Sequence, residues 1–129
     1  DNVFSDAQVL TATAASTNYI DLQLAGDLRE GMHVQVKSPT ILDSAGDAAT
    51  LLVSWQTDTV SNFASPTTLI QTAAIAEADL TAGIIAQFNV PKGLQRYNRL
   101  YYTVGTEDFT TGTITAQIQN GVDNDNAPA

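Results

Sequence analysis

Apolar and polar residues alternate along almost the whole 129-residue chain, and this alternation limits the fold more than any other feature. A strand turns successive side chains to opposite faces, so period-2 runs mark strands with one buried face. "YIDLQL" sets Ile20, Leu22 and Leu24 against Asp21 and Gln23, and "MHVQVK" sets Met32, Val34 and Val36 against His33, Gln35 and Lys37. "TLLVSWQT" gives an inward row of Leu51, Val53 and Trp55, with Leu52 breaking the outward one. "TLIQTA" and "IIAQFNV" read as two more strands. "RLYYTV" turns Leu100, Tyr102 and Val104 inward and Arg99, Tyr101 and Thr103 outward, and "TITAQIQ" adds Ile114, Ala116 and Ile118. A weaker run, "VLTAT" (Val9 to Thr13), brings the total to about eight strands of ordinary length. No helical period competes, and only "AIAEADLTAG" (Ala74 to Gly83) holds a helical turn, with Gly83 as its stop.

The connectors agree. "SPTILDSAGDAA" is a long loop of Ser, Gly, Asp and Ala, while "VPKG" and "TEDFTTG" read as tight turns. Evenly spaced, half-buried strands predict an all-β chain folded as an eight-stranded antiparallel jelly-roll β-sandwich. An immunoglobulin-like sandwich is the runner-up, without its Cys-Trp-Cys core. The organisation expected is an N-terminal arm over residues 1–8, a jelly-roll domain over 9–120, and an acidic, flexible tail over 121–129.

Composition narrows the chemistry. With no cysteine there is no disulfide, thiol nucleophile or zinc–thiolate site. Fourteen acidic residues against five basic ones give a formal charge of −9, which argues against nucleic acid as a partner. No stretch approaches the ~20 apolar residues of a membrane-spanning helix, so no membrane partner is expected. The single histidine, His33, sits mid-strand on a polar face and reads as a solvated or interface residue; no G-x-S-x-G elbow accompanies it. Asp43, Asp47, Glu107 and Asp108 fall in loops, where solvation explains them, and no pair stands out for glycoside hydrolysis. No metal-ligand spacing or phosphate loop is present, so no cofactor or metal is expected. "NDNAP" (Asn124 to Pro128) matches the calcium-linker end of cadherin repeats, but Val122 stands where that pattern wants an acid.

Three segments point to contact rather than catalysis. "VSWQTDTVSNFASPTTLIQT" (Val53 to Thr72) presents Phe63 in a loop between two strands, either anchoring that loop or docking into a partner. Lys92, Arg96 and Arg99 are interleaved with Tyr97 and Tyr101, a mixture enriched at protein interfaces and also usable as edge-strand protection. Val3 and Phe4 lie outside the expected sandwich, on an arm that either adds a strand to a partner's sheet or covers its own domain's edge. The candidate interface is therefore Val3, Phe4, Phe63, Lys92, Arg96, Arg99 and Tyr101.

"FSDAQ" with "TATAAST", then "VSWQTD" and "FASPTTLIQTAAI", then "RYNRLYYTV" and "FTTGTITA" together resemble the jelly-roll capsid cement proteins of short-tailed bacteriophages, in order from Phe4 to about Ala116. The resemblance implies a virion protein without catalytic residues, made in the host cytoplasm and placed on the outer surface of the head. Its partners would be the major capsid protein, whose subunits it bridges, and further copies of itself in a homodimer or homotrimer. The rival reading is a carbohydrate- or receptor-binding jelly roll using Trp55 and the tyrosines as platforms; Trp55 shares the inward row, which favours the core.

Overall fold

The computed structural model describes residues 3–24, 26 and 32–120. Its strand segments run β1 (Val3–Val9), β2 (Ala14–Ala15), β3 (Ile20–Asp21), β4 (Met32–Ser38), β5 (Asp43–Ser44), β6 (Thr50–Asp58), β7 (Thr67–Gln71), β8 (Ile75–Ala76), β9 (Gly83–Asn89), β10 (Tyr97–Gly105), β11 (Phe109–Thr111) and β12 (Thr113–Asn120). The helical turn expected in "AIAEADLTAG" is a short 3-10 segment, Glu77–Asp79.

Two antiparallel sheets carry the architecture. One has the order β1-β12-β4-β9; in the other, β2, β10, β6 and β7 are neighbours, with β3 also on β10 and β8 also on β6. β2 and β3 occupy successive stretches of β10, and β7 and β8 successive stretches of β6, so each pair is one interrupted strand. Counted that way, successive strands among the described residues alternate between the two sheets except β6 and β7, a hairpin within one sheet, which is the wrapping of a jelly roll. β5 and β11 form a separate small ribbon. The extra segments relative to the sequence reading come from these interruptions and from the ribbon.

The core is built from the rows that alternation predicts. Leu51, Val53 and Trp55 of β6, Leu100 and Tyr102 of β10, Val34 and Val36 of β4, and Ile114, Ala116 and Ile118 of β12 are all buried and belong to one apolar cluster. β6 and β10 pair without a bulge from Tyr97↔Asp58 to Gly105↔Thr50, so Leu100 opposes Trp55 and Tyr102 opposes Val53. Two polar side chains are satisfied inside: the Trp55 indole N–H donates to Asn98 Oδ1 at 3.0 Å, and the Tyr102 and Ser5 hydroxyls lie 2.8 Å apart. Burial pushes the Tyr102 phenol pKa up, which keeps it a neutral hydrogen-bonding group.

The N-terminal boundary is corrected. Residues 3–8 are not an arm outside the sandwich: β1 pairs with β12 from Val3↔Gln117 to Val9↔Thr113, through two register shifts and a positive φ of 51° at Ala7. Phe4 is buried, its ring edge-to-face with Trp55 at 5.2 Å. The "VLTAT" strand is correspondingly displaced towards the N-terminus; Val9 is exposed, Leu10 is buried, and the chain bends through residues 11–13. "YIDLQL" also stops early, because Gln23 turns to φ 72° and donates its N–H to Asp21 Oδ1, leaving Leu24 77% exposed. His33, read as a solvated or interface residue, is only 9% exposed in β4, paired with Gln119 and Asn89 on the neighbouring strands, so the solvated reading is set aside. The expected tail over 121–129 lies outside the described residues.

Phe4 and Trp55 join the two sheets through one ring contact, so each should be costly to remove and the two costs should overlap. Phe4→Ala and Trp55→Ala are each expected to lose about 3–5 kcal/mol in denaturant titrations. The double variant should lose less than the sum of the two. A Phe4→Ala loss below about 1 kcal/mol would mean that β1 is not held to the core in solution.

Candidate functional site

β10 leaves the core with a consequence on its other side. Because Asn98, Leu100 and Tyr102 point inward, Tyr97, Arg99 and Tyr101 share the outer face of the sheet. Arg99 stands opposite Gln56 on β6 and donates its Nε–H to Gln56 Oε1 at 2.8 Å. Its guanidinium carbon lies 4.4 Å from the Phe63 ring centre and 5.3 Å from that of Tyr101. Such cation–π contacts fix the plane of a guanidinium as well as its position.

Phe63 reaches Arg99 because the loop after β6 is folded by its own polar residues. Asp58, buried at the end of β6, accepts the Thr59 N–H at 2.6 Å on Oδ1 and the Ser65 N–H at 3.1 Å on Oδ2. Burial alone would push its carboxyl up, but the N–H groups of Ser65, Thr59 and Val60 outweigh that and hold it below its ordinary value. Asn62 Oδ1 accepts the Ala64 N–H, and the Phe63 N–H bonds Val60 O, with Phe63 itself at φ 50°. The ring is thereby turned down onto the sheet and is 6% exposed. Of the two roles open to Phe63 in the sequence, the structure shows the anchor.

The strip continues across the sheet. Tyr19, 49% exposed, meets Phe63 at 6.1 Å and Tyr97 at 5.5 Å, both edge-to-face. Arg96 covers Tyr97 at 4.9 Å and grips Asp21 with both Nε and Nη2, at 2.7 and 3.0 Å. That hydrogen-bonded pair lowers the Asp21 pKa and raises that of Arg96. Arg96, Tyr97, Tyr19, Phe63, Arg99 and Tyr101 thus form one continuous band of rings and cations.

Four of the seven candidate interface residues, Phe63, Arg96, Arg99 and Tyr101, are brought together in this band. Lys92 is exposed on the turn between β9 and β10. Val3 and Phe4 belong to the opposite sheet, where Phe4 is core rather than surface. Tyr19, Asp21 and Asp58 are additions. Tyr19 and Asp21 meet β10 only through the crossover that puts β2 and β3 beside it; the "TDTVSN" run held a signal for Asp58 and Asn62, since Asp and Asn cap turns.

A second polar cluster lies in the β5 region. Glu77 accepts the Ser44 N–H and the Ala49 N–H, each at 3.2 Å, and the Ser44 hydroxyl. Glu107 accepts the Gly46 N–H at 3.0 Å and the Ala48 N–H at 2.9 Å. A Cβ on Gly46 would stand 2.7 Å from the Glu107 carboxylate, so a larger residue there would push that side chain aside. Asp43, Asp47 and Glu77 bring carboxylate oxygens within 4.8 Å of one another. Divalent cations want converging free oxygens; here both Glu77 oxygens already accept protein donors, and the arrangement acts as a lock on the loop over 43–49.

The lock has a pH signature. Glu77 is held below its ordinary 4.5, first by the Ser44 hydroxyl, and Glu107 likewise, first by the Ala48 N–H. Asp43 is raised above its ordinary 3.8, first by sharing a hydrogen bond with Glu77, then by burial and by the charges of Glu77 and Asp47. Depressed carboxyls stabilise the fold above their unfolded values, and that contribution disappears as pH falls through the folded ones. For Asp43 the sign is opposite: its contribution is present below 3.8 and is lost as pH rises through the folded value. Asp43→Asn is therefore expected to raise the melting temperature at neutral pH and to give no gain in acid, whereas Glu77→Gln lowers it at neutral pH. A neutral-pH loss for Asp43→Asn would contradict this reading of the cluster.

Comparison with known proteins adds three findings. The family model Bbp16 matches residues 4–118. No curated protein matches the chain. Among solved structures, "Crystal structure of PirA" is similar over 92% of this chain and 96% of that one, at 8% identity and a TM-score of 0.45, a likeness too distant to carry an argument.

Proposed function

The chain belongs to the phage-related Bbp16 family, and from that premise we propose that it is a structural virion protein, a cement or decoration subunit on the outside of a tailed-phage head. In this reading it bridges and stabilises major capsid protein subunits, works by binding rather than catalysis, and assembles with further copies of itself as a homodimer or homotrimer. The observation that carries the proposal is the arginine–aromatic band on the outer face of β10, a composition enriched at protein interfaces and gathered on one sheet face. The ordered resemblance to capsid cement proteins, from Phe4 to about Ala116, covers almost the same residues as the family match.

The glycan-binding alternative loses its best platform, because Trp55 is fully buried with its N–H bonded to Asn98. Among the other rings of the band, Tyr19 meets Phe63 and Tyr97 edge-to-face and Tyr101 lies against the Arg99 guanidinium, whereas a sugar face wants a flat, open ring.

A single module of this size buries only a modest interface, so its effect on a head comes from many copies acting together. Heads assembled without the protein should survive mild conditions but release their DNA at a lower temperature than heads that carry it. Adding back the purified protein should restore the difference, at a fixed ratio to the major capsid protein. Equal melting of the two kinds of head, with no protein bound after addition, would sink the proposal.

A further inference from the structure

The two arginines of the band are in different states. Arg96 is satisfied: its fork closes on Asp21 with two hydrogen bonds, and its face lies over Tyr97. Arg99 is oriented but incomplete. Its Nε–H is taken by Gln56 and its flanks by Phe63 and Tyr101, yet among the described residues neither Nη donates to a partner and no carboxylate pairs with it. Asp58, the acid whose charge acts on it, has committed its oxygens to Thr59 and Ser65. Arg99 is also partly buried and has therefore given up some of its hydration. A guanidinium with a fixed plane and free terminal N–H groups matches a carboxylate in fork-to-fork geometry.

The surroundings select against other occupants. A nucleic-acid backbone needs a run of unpaired cations; here Arg96 is already neutralised by Asp21, and the chain carries −9 overall. We infer that Arg99 is the receptor for one carboxylate, an Asp or Glu side chain of the capsid subunit beneath, with Phe63 and Tyr101 holding the guanidinium plane for it. This inference rests on the proposed role at the capsid and names the chemistry of the contact. It also gives the β6–β7 loop a purpose: Asp58 and Asn62 fold the loop so that Phe63 pre-orients the arginine, which lowers the ordering cost of docking.

The test uses heads assembled without the protein, titrated with the full chain and with Arg99→Gln and Arg99→Lys. Near-ultraviolet circular dichroism of the buried Trp55 checks that each variant is folded. The native chain should bind saturably, and Arg99→Gln should bind roughly 10- to 100-fold more weakly, the range for a lost charged hydrogen-bond pair. Arg99→Lys keeps the charge without the fork and should fall between the two. It also puts an amine at the contact, which a carbodiimide can couple to an adjacent carboxylate. Peptide mass spectrometry should then find position 99 joined to an acidic residue of the capsid protein. Undiminished binding of folded Arg99→Gln overturns the inference and leaves the capsid role standing. Coupling of position 99 only to Asp58, or to a second copy of this chain, also overturns it. If the native chain does not bind heads at all, the capsid role fails and the inference falls with it.

Discussion

The edge-to-face contact between Phe4 and Trp55 is the constraint on which the rest of this structure depends. Phe4 comes from β1 in one sheet and Trp55 from β6 in the other, so a single contact sets how the sheets face each other. Trp55 is also tied to β10 through Asn98, and Tyr102 of β10 returns to Ser5 of β1, so the same two sheets are linked again by a polar pair. Period 2 does the remainder. Once Trp55, Leu100 and Tyr102 point inward, Gln56, Arg99 and Tyr101 must point outward. The band of cations and rings is therefore a consequence of the core.

This explains why much of the fold was legible in the sequence. The rows in β4, β6, β10 and β12 combine β-branched or aromatic residues with alternation, and their inward residues are buried as read except Met32 and Val104, which are partly buried where they lie near the strand ends. The misreadings fall where the backbone leaves regular strand geometry. β1 carries two register shifts and a left-handed residue at Ala7, so alternation across "VFSDAQV" is broken and its place in the sheet is hidden. "YIDLQL" alternates well beyond the real strand, because the turn at Gln23 is a local hydrogen-bond event that periodicity does not register.

The candidate site was legible in part for the same reason. Arg96, Arg99 and Tyr101 lie on or beside one strand, and their spacing alone places them near one another. Phe63 was conspicuous as a large ring in a polar loop. Tyr19 and Asp21 carried no such signal, since only the jelly-roll crossover brings them to β10. The carboxylate lock of Glu77 and Glu107 on the loop over 43–49 joins residues far apart in the chain, and its partners are mostly backbone N–H groups, which have no sequence identity to read.

Taken together, the Asp58 loop supplies Phe63, β10 supplies Tyr97, Arg99 and Tyr101, and the residues beside it supply Arg96 and Tyr19, so the contacts of the band are made within this chain. Cryo-electron microscopy of heads carrying the protein, at side-chain resolution, tests the central claim most directly. The account predicts sandwiches on the outside of the head with the outer face of β10 pressed against the capsid, and Arg99 and Tyr101 inside the contact. Heads in which that face points to solvent, with attachment made through the opposite sheet, would contradict it.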